Sequence, residues 1–163
     1  MALMSQAGMR LTAGKTDEAV ALLDEAAKVA KDPVLADEAR LKSALALLDT
    51  APYADLEARL TPLMEDKRPF RLEAREALAF AKIMAGKPAD AKADFVVLSQ
   101  VLDASDGMRQ RAQAAIALID SGSAATIPAA VKAAAALPPP APTLPAGMPP
   151  QGAEPQVQQG PAQ

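Results

Sequence analysis

Apolar residues recur along the first 120 positions at spacings of three and four, the period of helices that bury one face. Ala19, Leu22, Leu23, Ala26 and Val29 show it most clearly. Between such stretches lie residues that stop or start helices. Gly14 and Gly86 reach left-handed torsions without a Cβ clash, and Asp32 followed by Pro33 supplies an N-cap acceptor and a first-turn proline. The breaks KRP before Phe70 and GKP before Ala89 repeat the proline logic, and Ser105 is placed to cap a further helix. The pattern predicts seven helices, over about 1–13, 17–30, 33–48, 52–64, 69–85, 88–102 and 105–120, with Pro62 kinking or shortening the fourth.

These helices pair at a fixed period. Ala7, Ala44 and Ala79 are separated by 37 and 35 residues, and the same steps separate Ala19, Leu56 and Ala91, and Leu23, Leu60 and Phe95. Gly14 in AGKTDEA and Gly86 in AGKPADA are 72 residues apart, two periods, in nearly the same local sequence. A helix-turn-helix unit repeating every 34 to 36 residues or so is the signature of a helical solenoid, whose units gain stability by stacking. The expected fold is all-α: a tetratricopeptide-like α-solenoid of antiparallel helix pairs over 1–122, with the seventh helix as a cap. An Ala/Pro-rich tail follows over 123–163. A helix from about Pro128 is expected to be marginal without packing, and nine prolines among the 26 residues of 138–163 predict a disordered end.

Composition agrees with close helix packing. Half the residues are hydrophobic, mostly Ala and Leu, with three Phe, one Tyr and no Trp. Strands draw on β-branched and aromatic side chains, which are scarce here. The net charge of −3 gives no attraction for nucleic acid. No run of 18 apolar residues exists, and the first residues lack the basic-then-apolar order of a signal peptide, so the chain as it stands is expected to be soluble.

The segment 35–122 resembles the tetratricopeptide-like domain of the ancillary SecYEG translocon subunit family of bacterial inner-membrane proteins. The resemblance rests on LADEARLKSALALLDT, LEARLTPLMED, FRLEAREALAFAKIMAGKPADAKADF and GMRQRAQAAIALIDSG. Gly86, Ala91 and Phe95 also fit the general helix-pair pattern. The resemblance implies a periplasmic solenoid held to the inner membrane by one N-terminal helix, in contact with the translocon and with periplasmic chaperones. This sequence departs from that pattern in lacking the anchor, and it reads as beginning partway through the repeats.

Catalytic chemistry is sparse. There is no histidine and no cysteine, so the common groups for proton transfer at neutral pH and for nucleophilic attack are missing. No phosphate-binding glycine loop occurs. No cofactor, metal or enzymatic activity is expected. The carboxylates Asp17, Glu18, Asp24 and Glu25 read as a solvated helix face, with Asp24 and Lys28 as an i,i+4 pair. The basic cluster Lys67, Arg68, Arg71 and Arg75 reads as a solvated edge beside Glu65, Asp66, Glu73 and Glu76. The expected function is a non-enzymatic protein-protein interaction scaffold, an accessory of the protein-export translocon or its chaperones. The alternative is a homo-oligomerisation module of a membrane or cell-envelope protein. In tetratricopeptide stacks the first helix of each pair lines the concave side, which puts Leu41, Leu45 and Leu48 of one unit and Phe80, Ile83 and Met84 of the next in a partner-binding groove. That groove would take a translocon subunit, a chaperone or a client segment as an amphipathic helix or an extended apolar strand.

Overall fold

The computed structural model describes residues 2–137. They form α1 (Ala2–Thr12), α2 (Thr16–Val29), α3 (Pro33–Ala46), α4 (Tyr53–Leu60), α5 (Arg71–Met84), α6 (Pro88–Gln100), α7 (Asp106–Asp120) and α8 (Ile127–Ala135), with 3-10 turns at Thr61–Met64 and Ser123–Thr126. Among the described residues there is no strand. From α1 to α7 each helix packs on the next, giving an all-α helical-repeat fold.

The helix ends follow from local chemistry. Asp32 caps α3 by accepting the Val34 amide at 2.8 Å, and Ser105 caps α7 by accepting the Met108 amide at 3.2 Å. The α1–α2 and α5–α6 turns are the same motif. Gly14 and Gly86 both sit at φ 72°; the Lys15 amide reaches the Arg10 carbonyl at 2.9 Å, and the Lys87 amide reaches that of Lys82 at 2.8 Å. Pro62 cannot continue the i to i−4 ladder, so α4 stops at Leu60 and the chain tightens into the 3-10 turn that buries Leu63.

All nine positions that carry the period in the sequence are buried. They fall into successive core layers. Ala7, Ala19 and Leu23 join α1 to α2, with Ala26, Ala27 and Ala39 extending the layer to α3. Leu41, Ala44, Leu56, Leu60 and Leu63 meet Ala74, Ala77, Leu78 and Ala81 of α5 in the second layer. Ala79 and Ile83, on another side of α5, meet Ala91, Phe95 and Leu98 of α6 and Met108, Ala112 and Ala115 of α7 in the third. Here Phe80 meets Phe95 edge-on, with ring centroids 5.1 Å apart.

Order continues beyond Gly122, where the sequence pattern placed the domain boundary. Gly122 adopts φ 78°, but the chain then turns by 88° and α8 crosses the end of the stack to touch α5 instead of forming an antiparallel hairpin with α7. Ala124 is buried and Ile127 packs against the third layer. That packing holds a nine-residue helix too short to persist alone. The disorder expected of 138–163 lies outside the described residues.

Ala79 is fully buried where α5 meets α6. Ala79→Leu is expected to overpack the third layer and to lower the free energy of unfolding by about 1–3 kcal/mol, read as a lower urea midpoint.

Candidate functional site

The six residues expected to line one groove are distributed over four environments. Leu41 and Ile83 are buried in the second and third layers, so their side chains serve the core. Phe80 is half-buried and spends its ring on Phe95. Leu48 and Met84 do come together, in a recess of about 260 Å³ that also includes Pro52, Tyr53 and Leu56. Leu45 is 46% exposed and opens onto a different depression.

That depression, about 390 Å³, lies between α1 and α3 and over α2; Met4, Ala7, Gly8 and Leu11 form one side, Leu45, Ala46 and Lys42 the other, and Leu23 lies at its base. The helical period explains it. Met4, Ala7, Gly8 and Leu11 are spaced three, four and seven apart and so share a face of α1. Gly8 and Ala7 carry too little side chain to fill the space between the first helices of neighbouring pairs. Leu11, 40% exposed, and Leu45 are left uncovered at the rim. The sequence reading confined the groove to the second and third pairs and missed α1, although the spacing of Met4, Ala7, Gly8 and Leu11 carried the signal.

The Leu48–Met84 recess is lined on one side by Tyr53, whose hydroxyl donates to Glu57 Oε1 at 2.7 Å while the Lys87 ammonium lies 4.3 Å from its ring centre. Burial, then the hydrogen bond and charge of Glu57, push the phenol up to about 12. Tyr53 stays neutral across the working range of pH.

A polar cleft of about 420 Å³ lies between α2, α3 and α4, bounded by Asp24, Asp37, Arg40, Ala58, Arg59, Pro62, Leu63 and Arg68. It corrects two expectations. Asp24 does not serve as half of a surface pair with Lys28: its carboxylate accepts from Ser43 Oγ at 2.7 Å and from Arg59 Nη1 at 2.9 Å, joining three helices. The basic residues 68, 71 and 75 are not a solvated edge. Arg68 grips Asp37 at 3.0 and 3.2 Å, Arg75 donates to Asp94 at 2.9 Å beside Lys82 at 2.6 Å, and Arg71 pairs with Asp103. Asp37 and Asp94 are buried, and each is shared by two cations. The sequence signal was an acid on an apolar face, Asp37 beside Leu41 and Ala44, and Asp94 beside Ala91 and Leu98. Such an acid needs a partner reaching in from another helix.

Among the described residues no group of acidic side chains is arranged to hold a metal ion, and no single helix is long and apolar enough to cross a membrane. The architecture defines an all-α helical-repeat protein, with an uncovered apolar depression on its first-helix side and a charged cleft elsewhere. Against protein-family models, curated proteins and solved structures the chain matches none.

Burial raises the Asp24 carboxyl, but the hydrogen bonds from Arg59 and Ser43 outweigh it and hold the group below its ordinary 3.8. A carboxyl with a lower pKa folded than unfolded adds stability above the unfolded value and loses it as pH falls through the folded one. Asp24→Asn is therefore expected to unfold at a lower temperature than the parent at pH 7. The gap should hold down to about pH 5 and close as the pH falls through 3.8 and below, followed by circular dichroism.

Proposed function

We propose that this chain is a non-enzymatic protein-protein interaction scaffold that takes an apolar segment of a partner into the depression between α1 and α3. The observation that carries this reading is the exposure of Leu11 and Leu45 over a base of buried Ala7 and Leu23. Apolar side chains left uncovered in a concave place gain free energy when a partner removes them from water. An amphipathic helix suits a trough between two helices, because its residues at spacings of three and four interdigitate with theirs. Met4 adds an adaptable surface that accepts partners of differing shape. The absence of histidine and cysteine from the sequence leaves acyl, metal and thiol chemistry without their usual groups. The resemblance of 35–122 to ancillary SecYEG subunits suggests a translocon subunit, a periplasmic chaperone or an exported client segment as the partner.

A second reading, self-association, is favoured by the outer side of the first pair. There Met9 and Val29 are each 63% exposed, and Met9, Ala21 and Leu22 border a shallow depression with Gln6, Arg10 and Glu18. Light scattering on the chromatographed protein separates the two, since only the second reading requires a dimer.

Leu45→Lys and Leu11→Lys are expected to abolish photocrosslinking to a designed amphipathic Leu/Glu peptide while changing the free energy of unfolding by less than about 0.5 kcal/mol. Leu41→Ala should cost about 2–5 kcal/mol, because it leaves a cavity in the second layer. Crosslinking that survives both lysine variants would remove the depression as the binding surface.

A further inference from the structure

We propose that the cleft bounded by Asp37, Arg40, Arg59 and Arg68 binds a peptide carboxylate, either the free C-terminus of a partner chain or an acidic side chain within it. The site is separate from the apolar depression: Arg40 lies across α3 from Lys42 and Leu45 by the helical period.

Charge comes first. Three guanidinium groups and two carboxylates border the cleft, a surplus of one positive charge in a chain whose net charge is −3. The surplus has an address. Arg59 and Ser43 already satisfy Asp24, whereas Asp37 is the one acid lining the cleft that answers both Arg40 and Arg68, with Glu65 reaching Arg68 from outside the lining. Arg40 makes a single hydrogen bond, through Nη1 to Asp37 at 2.9 Å, and its side chain is 49% exposed. Arg68 keeps Nη2 for nothing closer than Glu65 at 3.6 Å. Both therefore hold donors available to an incoming oxygen.

The donors are also held in place. Asp37 is 1% exposed and anchors both guanidinium groups from beneath, so little side-chain freedom remains to be lost on binding. Lys67, immediately before Arg68, is the one residue other than glycine at positive φ, 69°, among the described residues, a conformation that L side chains resist. The chain accepts that strain at the turn that delivers Arg68 to Asp37. Asp94 with Arg75 and Lys82 repeats the construction, but there the bases are only 30% and 20% exposed and act as a closed brace. At Asp37 Arg68 is 35% exposed, and Arg40, at 49%, faces open space.

The ligand class follows. A singly charged, planar carboxylate matches one surplus charge and the fork of Arg40. A phosphate carrying two charges meets about twice the repulsion from Asp24 and Asp37 that a carboxylate meets. Ala58, Pro62 and Leu63 give the residue next to the carboxylate an apolar wall.

The test titrates the full chain, labelled with 15N, and follows the arginine Nε–Hε signals. The probes are acetyl-Ala-Ala-Leu with a free carboxylate, acetyl-Ala-Glu-Ala-amide, acetyl-Ala-Ala-Leu-amide and inorganic phosphate. The expected result is saturable shifts of Arg40 and Arg68 with at least one carboxylate peptide, and none with the Leu amide. The peptide that binds identifies the source as a C-terminus or a side chain. Arg40→Gln should weaken binding about tenfold or more, whereas Arg111→Gln, which removes an exposed arginine paired with Glu76, should bind as the parent does. Equal shifts with the amide, tighter binding of phosphate, no saturable shift, or full binding by Arg40→Gln would each overturn the proposal. The comparison of acid with amide needs no variant, so it stands even if Arg40→Gln folds poorly.

Discussion

The structure depends on helices approaching one another through fully buried alanines. Ala7, Ala44 and Ala79 are completely buried at the same point of three successive first helices, and Ala19 and Ala91 are their counterparts on second helices. Interhelical distance is set by the side chains at the contact, so alanine there permits close approach and a continuous, thin core. Large side chains then need only a few sites: Phe95, Leu23, Leu56, Leu60, Leu63 and Leu98 are the largest apolar groups sealed from water. α5 depends on this most, because it buries seven residues on two sides and belongs to both the second and the third layers.

Ion pairs accompany the alanine and leucine layers along the direction of stacking. Asp24 with Arg59 and Glu76 with Arg111 join residues 35 apart, one repeat, while Asp37 with Arg68 and Arg71 with Asp103 join residues 31 and 32 apart. Every one of these pairs links neighbouring repeats. Desolvating Asp37 and Asp94 offsets much of the attraction to their cations, and removing a partner would leave a buried charge less compensated. Mispairing a repeat would strand a carboxylate in an apolar layer. The same anchored arginines, where they face open space, become a place for another anion.

The fold was largely legible in the sequence, because its determinants are local or periodic. Gly14 and Gly86, the Asp32–Pro33 and Ser105 caps, and the nine repeated core positions can each be read without knowing the tertiary structure. Three features could not. Whether 123–135 would order depended on Ile127 and Ala124 finding a surface on α5 to α7, a contact no local pattern states. Which leucines remain uncovered depended on crossing geometry: Leu41 and Leu45 are four residues apart on α3, yet one is buried and the other is not. The destinations of Arg59, Arg68 and Arg75 depended on which helix each could reach, and a cluster of bases in sequence does not say that its acids lie 19 to 35 residues away.

Together these features describe a stack with a closed interior and, among its surface recesses, an apolar depression between the first helices of the first two pairs. Methyl carbon shifts of the leucine, isoleucine and methionine residues, recorded while an amphipathic Leu/Glu peptide is added, test this most directly. The account predicts shifts confined to Met4, Leu11 and Leu45, with Leu41, Leu60 and Ile83 unmoved. Shifts spread through the buried layers, or confined to Leu48 and Met84, would contradict it.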